Sequence, residues 1–339
     1  RIAMKRSSSS SSFVNSSAQR RWWLLFSATL IVAAICCVGL LLWKNPVPVT
    51  SPKFWPIARR RAFSILAIAV VAICQGLATV AFQTVAGNRI ITPSILGFES
   101  LYRVINTSVI FFAGVAGFNA AQNLPMFIFQ LAIMVLFTLI LYSWLLTSQH
   151  ASMHAMLLIG VMLGAGLGSV ATFMQRLLTP SEFDVLTARL FGSISNADRT
   201  YYPVALPIVA IAAVSLFLLS NRLNVIALGR ETATNLGLNH KQTSIIVLVL
   251  VSLLIATSTA LVGPMTFLGF LIATLSYQFS PTSDHKYLFA MSVALGLAVL
   301  SASYFLMNHV FNAQGVVSII IEFVGGLAFI VTILKKGRL

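Results

Sequence analysis

Long apolar runs separated by short polar breaks make up most of the chain. Runs of roughly 18 or more apolar residues are long enough to cross a bilayer as helices, and about ten such stretches occur. They fall at 22–43, 62–86, 100–118, 125–147, 153–173, 203–220, 244–262, 264–279, 287–308 and 316–334. The pattern predicts an all-α fold, a polytopic membrane helix bundle. Only Gly263 and Pro264 mark the boundary between the seventh and eighth runs. Proline removes a backbone donor there, which lipid tolerates only where neighbouring protein covers the gap.

The polar breaks are not equivalent. Residues 228–243, LGRETATNLGLNHKQT, bring Arg230, Glu231, His240 and Lys241 together in a helix-compatible segment between two apolar runs. A polar helical element so placed is expected to meet something outside the bilayer. Residues 175–202 are also long for a mere connection, and their charges predict a short amphipathic helix near the membrane surface. Residues 83–97 carry Gln83, Gly87, Asn88, Pro93 and Gly97, the punctuation of a structured turn. At the start, Ser7 to Ser12 form a serine run, so residues 1–20 are expected to be a disordered tail. The remainder, 21–339, is expected to form one transmembrane domain with a polar element at 226–243. The run after Arg20 and Arg21 is too long for a signal-peptide core and lacks a small-x-small site, so it is expected to stay as an anchor.

Composition fits this reading. The 339 residues are 58% hydrophobic and 9% charged, which no soluble core of this size requires. The net charge of +15 would suggest nucleic acid in a soluble protein. Here the basic residues sit at the ends of apolar runs, where they meet lipid headgroups, so no nucleic acid is expected. With ten spans and the N-terminus inside, 14 of the 22 basic residues fall on the inner side and 8 on the outer. That bias puts both termini and the polar element in the cytoplasm. Arg59, Arg60 and Arg61 run against the rule on the outer side.

The sequence shows no catalytic constellation and no metal cluster. There is no GxxxxGK[ST] phosphate loop. Cys36, Cys37 and Cys74 lie inside apolar runs without CxxC spacing and read as buried hydrophobes. His150 and His154 share a helix face without an acid nearby and read as interfacial. Glu322 is the acid clearly inside a span, near the positive end of its helix. Gly160, Gly164 and Gly168 recur every four residues, which suits close helix packing or a smooth face along a path for a bulky solute. An ion-coupled secondary transporter is the alternative, disfavoured by the scarcity of intramembrane carboxylates.

Four segments in order resemble the FecCD-type permeases, the membrane subunits of ABC importers for iron-siderophores, haem and vitamin B12. Leu228, Gly229, Glu231, Thr232, Ala233, Leu236 and Gly237 fit the family's LGEETARSLGV-like segment, with Arg230 replacing an acid. Gly263, Pro264, Phe267 and Gly269 fit GPIxFVG. Gln83, Asn88, Pro93, Leu96 and Gly97 keep the QxxxxNPLAxPxxLG spacing, although Arg89 stands where proline is usual. Residues 190–195, LFGSIS, look like WLxGSL. Ala273-Thr274 replaces the family's common Pro-His, and Leu327 replaces a proline after Gly325-Gly326. The phrase TPSILGFESLY with LSYQF is similar to the branch for catecholate, petrobactin-like and anguibactin-like siderophores.

The resemblance implies a transport subunit of the bacterial cytoplasmic membrane rather than an enzyme. It implies a second, non-identical permease, two ATP-binding subunits and an extracytoplasmic siderophore-binding protein as partners. No cofactor is expected on this chain; ATP-Mg belongs to the ATPase, and iron enters only as the chelated substrate. Gly229, Arg230, Glu231, Thr232, Ala233, Leu236 and Gly237 would be the ATPase-coupling residues. Arg59, Arg60 and Arg61 correspond to arginines that receive the binding protein. Gln83, Asn88, Pro93, Gly97, Gly160, Gly164, Gly168, Gly263, Pro264, Phe267 and Gly269 would shape the translocation path.

Overall fold

The computed structural model describes residues 12–13, 15–43, 54–147, 153–311 and 317–336, and the described residues are almost entirely helical. In chain order the helices are α1 (Ser16–Leu42), α2 (Phe54–Ala86), α3 (Phe98–Ala120), α4 (Leu124–Thr147), α5 (Met153–Gln175), α6 (Pro180–Leu190) and α7 (Tyr202–Leu218). They continue as α8 (Ser220–Ile226), α9 (Arg230–Asn235), α10 (His240–Val262), α11 (Leu268–Phe279), α12 (His285–Phe305) and α13 (Val317–Lys336). Eight of these elements are long and apolar enough to cross a membrane, and two shorter apolar helices, at Leu268–Phe279 and Val317–Ala328, accompany them.

Hydropathy alone cannot rank these helices, because lipid and protein core are equally apolar. The tertiary structure ranks them. Most of the spanning windows of α2, α10 and α12 are buried (78%, 72% and 61%), whereas α1 and α5 are buried over only 11% and 17%. Helix α2 packs against both α10 and α12, α1 lies along α12, and α5 lies along α3. Small and hydroxylated residues allow the close central packing. A Cβ on Gly296 of α12 would stand 3.0 Å from that of Ala72 on α2, and Gln75 Nε2 donates to Ser258 Oγ between α2 and α10 at 3.4 Å. Ser252 and Thr257 return their hydroxyl protons to carbonyls one turn earlier, which satisfies them without water.

Several boundaries differ from the periodicity. The segment 1–20 was expected to be disordered, but α1 begins at Ser16. Phe13 is buried, with its ring 4.7 Å from that of Tyr287 on α12, and Trp22 packs beside both. This aromatic cluster buries enough surface to hold the chain ahead of α1. Residues 1–11 of that segment lie outside the described residues, as do His150 and the side chain of His154. The eighth run, expected at 264–279, shortens to α11. Its 12 residues, at about 1.5 Å each, make it too short to span alone. Gly263, at φ 95°, turns the chain out of α10, and residues 263–267 form an irregular segment covered by protein. The third run holds a break at Gly114 (φ 65°, ψ −174°). The amphipathic helix expected within 175–202 is α6. Thr179 and Glu182 form a reciprocal capping box at its start, as Thr-Pro-x-Glu dictates.

Candidate functional site

Residues 228–237 form a compact turn, helix and turn at one end of the bundle. Gly229 (φ 97°) opens α9 and Gly237 (φ 83°) closes it. Leu238 N–H donates to Ala233 O and Gly237 N–H to Thr234 O, the paired bonds that end a helix on a left-handed residue. Glu231 lies in the first turn, where the helix dipole favours an acid. Leu228 and Leu236 are 59% and 63% exposed, and Arg230, Glu231 and Thr232 are exposed with them. Ala233 is different. It is completely buried, so it anchors the element from inside and offers no contact surface, contrary to its place in the expected coupling set.

Behind this element, helix ends are tied together by polar side chains. Asn224 of α8 donates through Nδ2 to Asp284 Oδ1 at 3.1 Å, and its Oδ1 accepts from the His285 backbone N–H at 2.9 Å. The same Oδ1 lies 2.6 Å from His285 Nδ1, so that ring nitrogen carries the proton. His285 Nε2 in turn meets Thr84 Oγ1 of α2 at 2.7 Å. Burial alone would push Asp284 up, but hydrogen bonds from Ser12, Asn224 and the Lys286 N–H outweigh it and hold the carboxyl below the usual range. These groups line a cavity of about 930 Å³ together with Gln83, Arg89, Tyr277 and Leu228. Gln83 Nε2 donates to Arg89 O at 2.8 Å, Asn88 Oδ1 accepts from Ile90 N, and the Arg89 guanidinium stacks 4.4 Å from the Tyr277 ring centre. Pro93 and Gly97 start and end the 3-10 turn Pro93–Leu96. The Asn224–His285–Thr84 chain was invisible in the sequence because its members lie far apart on three elements.

At the opposite end two of the sequence motifs meet. Ser193 N–H and Asn196 Nδ2 both donate to Val262 O, at 2.8 and 3.1 Å. A Cβ on Gly192 would overlap the Pro264 carbonyl oxygen. Ile194 N–H donates to Tyr304 Oη at 3.0 Å. A Cβ on Gly269 would overlap Thr79 on α2, and Phe267 fills the space left by Gly325 on α13. Thr266 Oγ1 donates to Glu99 Oε2 at 2.5 Å, and the Thr266 backbone bonds Glu322. Glu99 thus joins Glu322 as an acid inside the bundle. Sequence reading missed it because it stands just ahead of an apolar run, as an interfacial acid would.

The three outer arginines separate. Arg61 Nη1 donates to the Leu40, Leu41 and Trp43 carbonyls at 3.4, 3.3 and 2.9 Å, and so caps α1. Arg59 and Arg60 are exposed. The glycine stripe of α5 separates as well. Gly160 and Gly164 are buried against the turn ending at Gly97, where a Cβ on Gly164 would meet Gly97 Cα at 3.3 Å. Gly168 instead borders a smaller cavity containing Arg103 and Arg176. Arg103, counted on the inner side by charge, therefore lies in the half of the bundle away from Arg89.

Spanning helices around a packed centre, with an exposed polar element at their ends, define a multi-pass membrane protein. Residues 49–335 match the model of the FecCD transport family, and the chain belongs to that family. It is 50% identical over 301 residues to the petrobactin import system permease protein FatC of Bacillus anthracis, covering 89% of this chain and 85% of that one. It is 35% identical over 308 residues to the petrobactin import system permease protein YclO of Bacillus subtilis, covering 89% and 94%. The fold is that of a solved metal-chelate type ABC transporter in an inward-facing conformation (TM-score 0.76, 22% identity, 92% of this chain and 99% of that one).

Proposed function

We propose that this chain is the membrane permease subunit of an ATP-driven importer that carries a ferric siderophore across the bacterial cytoplasmic membrane. The 50% identity to FatC over most of both chains carries the reading and favours a petrobactin-type chelate as substrate. The chain pairs with a second permease. Its 25% identity over 202 residues to the FatD petrobactin permease of Bacillus anthracis, beside the 50% to FatC, supports a non-identical partner of the FatD kind.

The element 228–237 is the surface for the ATPase. Exposed Leu228 and Leu236 flank exposed Arg230, Glu231 and Thr232, the mixed face that suits a groove on a partner. Asn224 links α8 to Asp284 and His285, so a shift of this element reaches the starts of α12 and, through Thr84, the end of α2. Arg59 and Arg60 are the cations available to an acidic binding protein on the opposite face.

The test is uptake of ⁵⁵Fe-labelled ferric petrobactin into proteoliposomes holding both permeases and the ATPase. Accumulation is expected with ATP and the binding protein together and with neither alone. ATP-independent accumulation driven by a proton or sodium gradient would overturn the assignment in favour of a secondary transporter.

A further inference from the structure

The cavity at Gly168 assigns a role to two arginines that the family motifs do not include. It has a volume of about 380 Å³ and is lined by Arg103 of α3, by Gly168, Ser169, Thr172 and Phe173 of α5, and by Arg176 just beyond α5. Its height in the bundle follows from a bond next to it. Gln175 Nε2 donates to Thr107 Oγ1 at 3.1 Å, and Arg103 lies one turn below Thr107 on α3. Arg103 is therefore an exposed cation within a spanning helix, not at its tip.

Neither guanidinium group has a hydrogen bond or ion pair among the described residues. Glu99, one turn before Arg103, is close enough for a Coulombic attraction to it, but its Oε2 accepts from Thr266 rather than from the guanidinium. Ser169 and Thr172 give their protons to the Ala165 and Gly168 carbonyls, so they keep the wall polar while the guanidinium groups supply the free donors. Two guanidinium groups without a hydrogen-bond partner among the described residues, beside two hydroxyls, form a poor surface for lipid tails. Such a face belongs against water or protein, and intramembrane cations of this kind mark solute pathways.

We propose that Arg103 and Arg176 form an anion-binding station on the translocation path, which holds the negatively charged ferric chelate in passing. This rests on the importer reading above. Iron(III) bound by doubly deprotonated catecholate or hydroxycarboxylate oxygens keeps a net negative charge. Guanidinium forks match paired oxygens of this kind. Exposure keeps the interaction weak enough for release, which a path requires of its binding points. Gly168 borders the cavity with its missing side chain turned toward Ser100 of α3, so the wall there stays low.

The experiment compares wild type with R103Q/R176Q, R103K/R176K and the single variant R176Q in proteoliposomes. These contain the partner permease, the ATPase and the binding protein, with ferric petrobactin as the probe. Assembly is read by size-exclusion chromatography, and coupling by ATPase stimulation from the binding protein. The double glutamine variant is expected to assemble and hydrolyse ATP normally while uptake at sub-saturating chelate falls about tenfold. The double lysine variant is expected to retain most uptake, and the R176Q defect is expected to shrink as wild-type uptake itself falls with salt. Wild-type uptake by R103Q/R176Q and R176Q at low and high salt would overturn the station while leaving the importer standing. A wild-type complex that takes up no ferric chelate would overturn the importer reading and the station with it.

Discussion

Arg59, Arg60 and Arg61 are indistinguishable in sequence, and geometry gives them different tasks. Three carbonyls at the end of α1 lack intrahelical partners, and Arg61 supplies donors to them. Arg61→Ala is therefore expected to lower the thermal stability of the detergent-purified complex, by about 1 kcal/mol for the lost bonds. Its effect on binding-protein affinity should be small. R59E/R60E is expected to do the reverse, keeping the melting temperature and weakening the binding protein in low salt. Melting curves and titrations at two ionic strengths separate the cases, and equal affinities for R59E/R60E and wild type would remove both residues from the docking surface. Glu99 teaches a similar lesson. Its place ahead of an apolar run reads as interfacial, yet the long turn 87–97 carries the start of α3 back into the bundle, where Thr266 meets it.

The polar element at 228–237 was legible as an element because its glycines, its acid and its spacing are local features. Which residues face out was not. Ala233 faces in, because a six-residue helix must turn one side toward the bundle that supports it. Ala233→Leu is expected to overpack that contact and destabilise the complex by about 1–3 kcal/mol. Leu236→Asp, at an exposed site, is expected to leave the fold intact and abolish co-purification of the ATPase. Pull-down alongside melting curves reads both. An L236D variant that still brings the ATPase down at wild-type yield would place the coupling surface elsewhere. Helix α11 shows the opposite limit. Its apolar pattern extends back through Pro264, and only the close approach of Gly192 to Pro264 and of Gly325 to Phe267 shows that residues 263–267 form a protein-covered turn rather than helix.

On the scale of the whole molecule, the segments at 190–196 and 262–269 work as one joint. Val262 O collects two donors from the first segment, and Gly192 lets the Pro264 carbonyl approach. Gly192→Val is expected to push the two segments apart, costing about 1–3 kcal/mol and loosening α11 and α13 together. The measurement is hydrogen exchange on the purified complex, with faster exchange expected in both helices. Unchanged exchange would show that the joint tolerates a side chain and holds nothing in place. The orientation count of basic residues is also a whole-molecule argument, and moving Arg103 to the outer side narrows its bias.

The class of fold, the polar element and the family are legible along the chain alone. Each rests on local information: the length of an apolar run, glycines at turns, and motif spacing along one chain. The packed structure shows which helices are central, that Arg61 caps α1 while Arg59 and Arg60 are exposed, and that Ala233 faces inward. It also joined Asn224 to His285 and Thr84, and brought Arg103 beside Arg176. The physical reason is the same in every case. In an apolar medium the hydropathy of a helix says that it is inserted, not what it touches. Contacts are set by close approach and paired polar groups on segments distant in the chain.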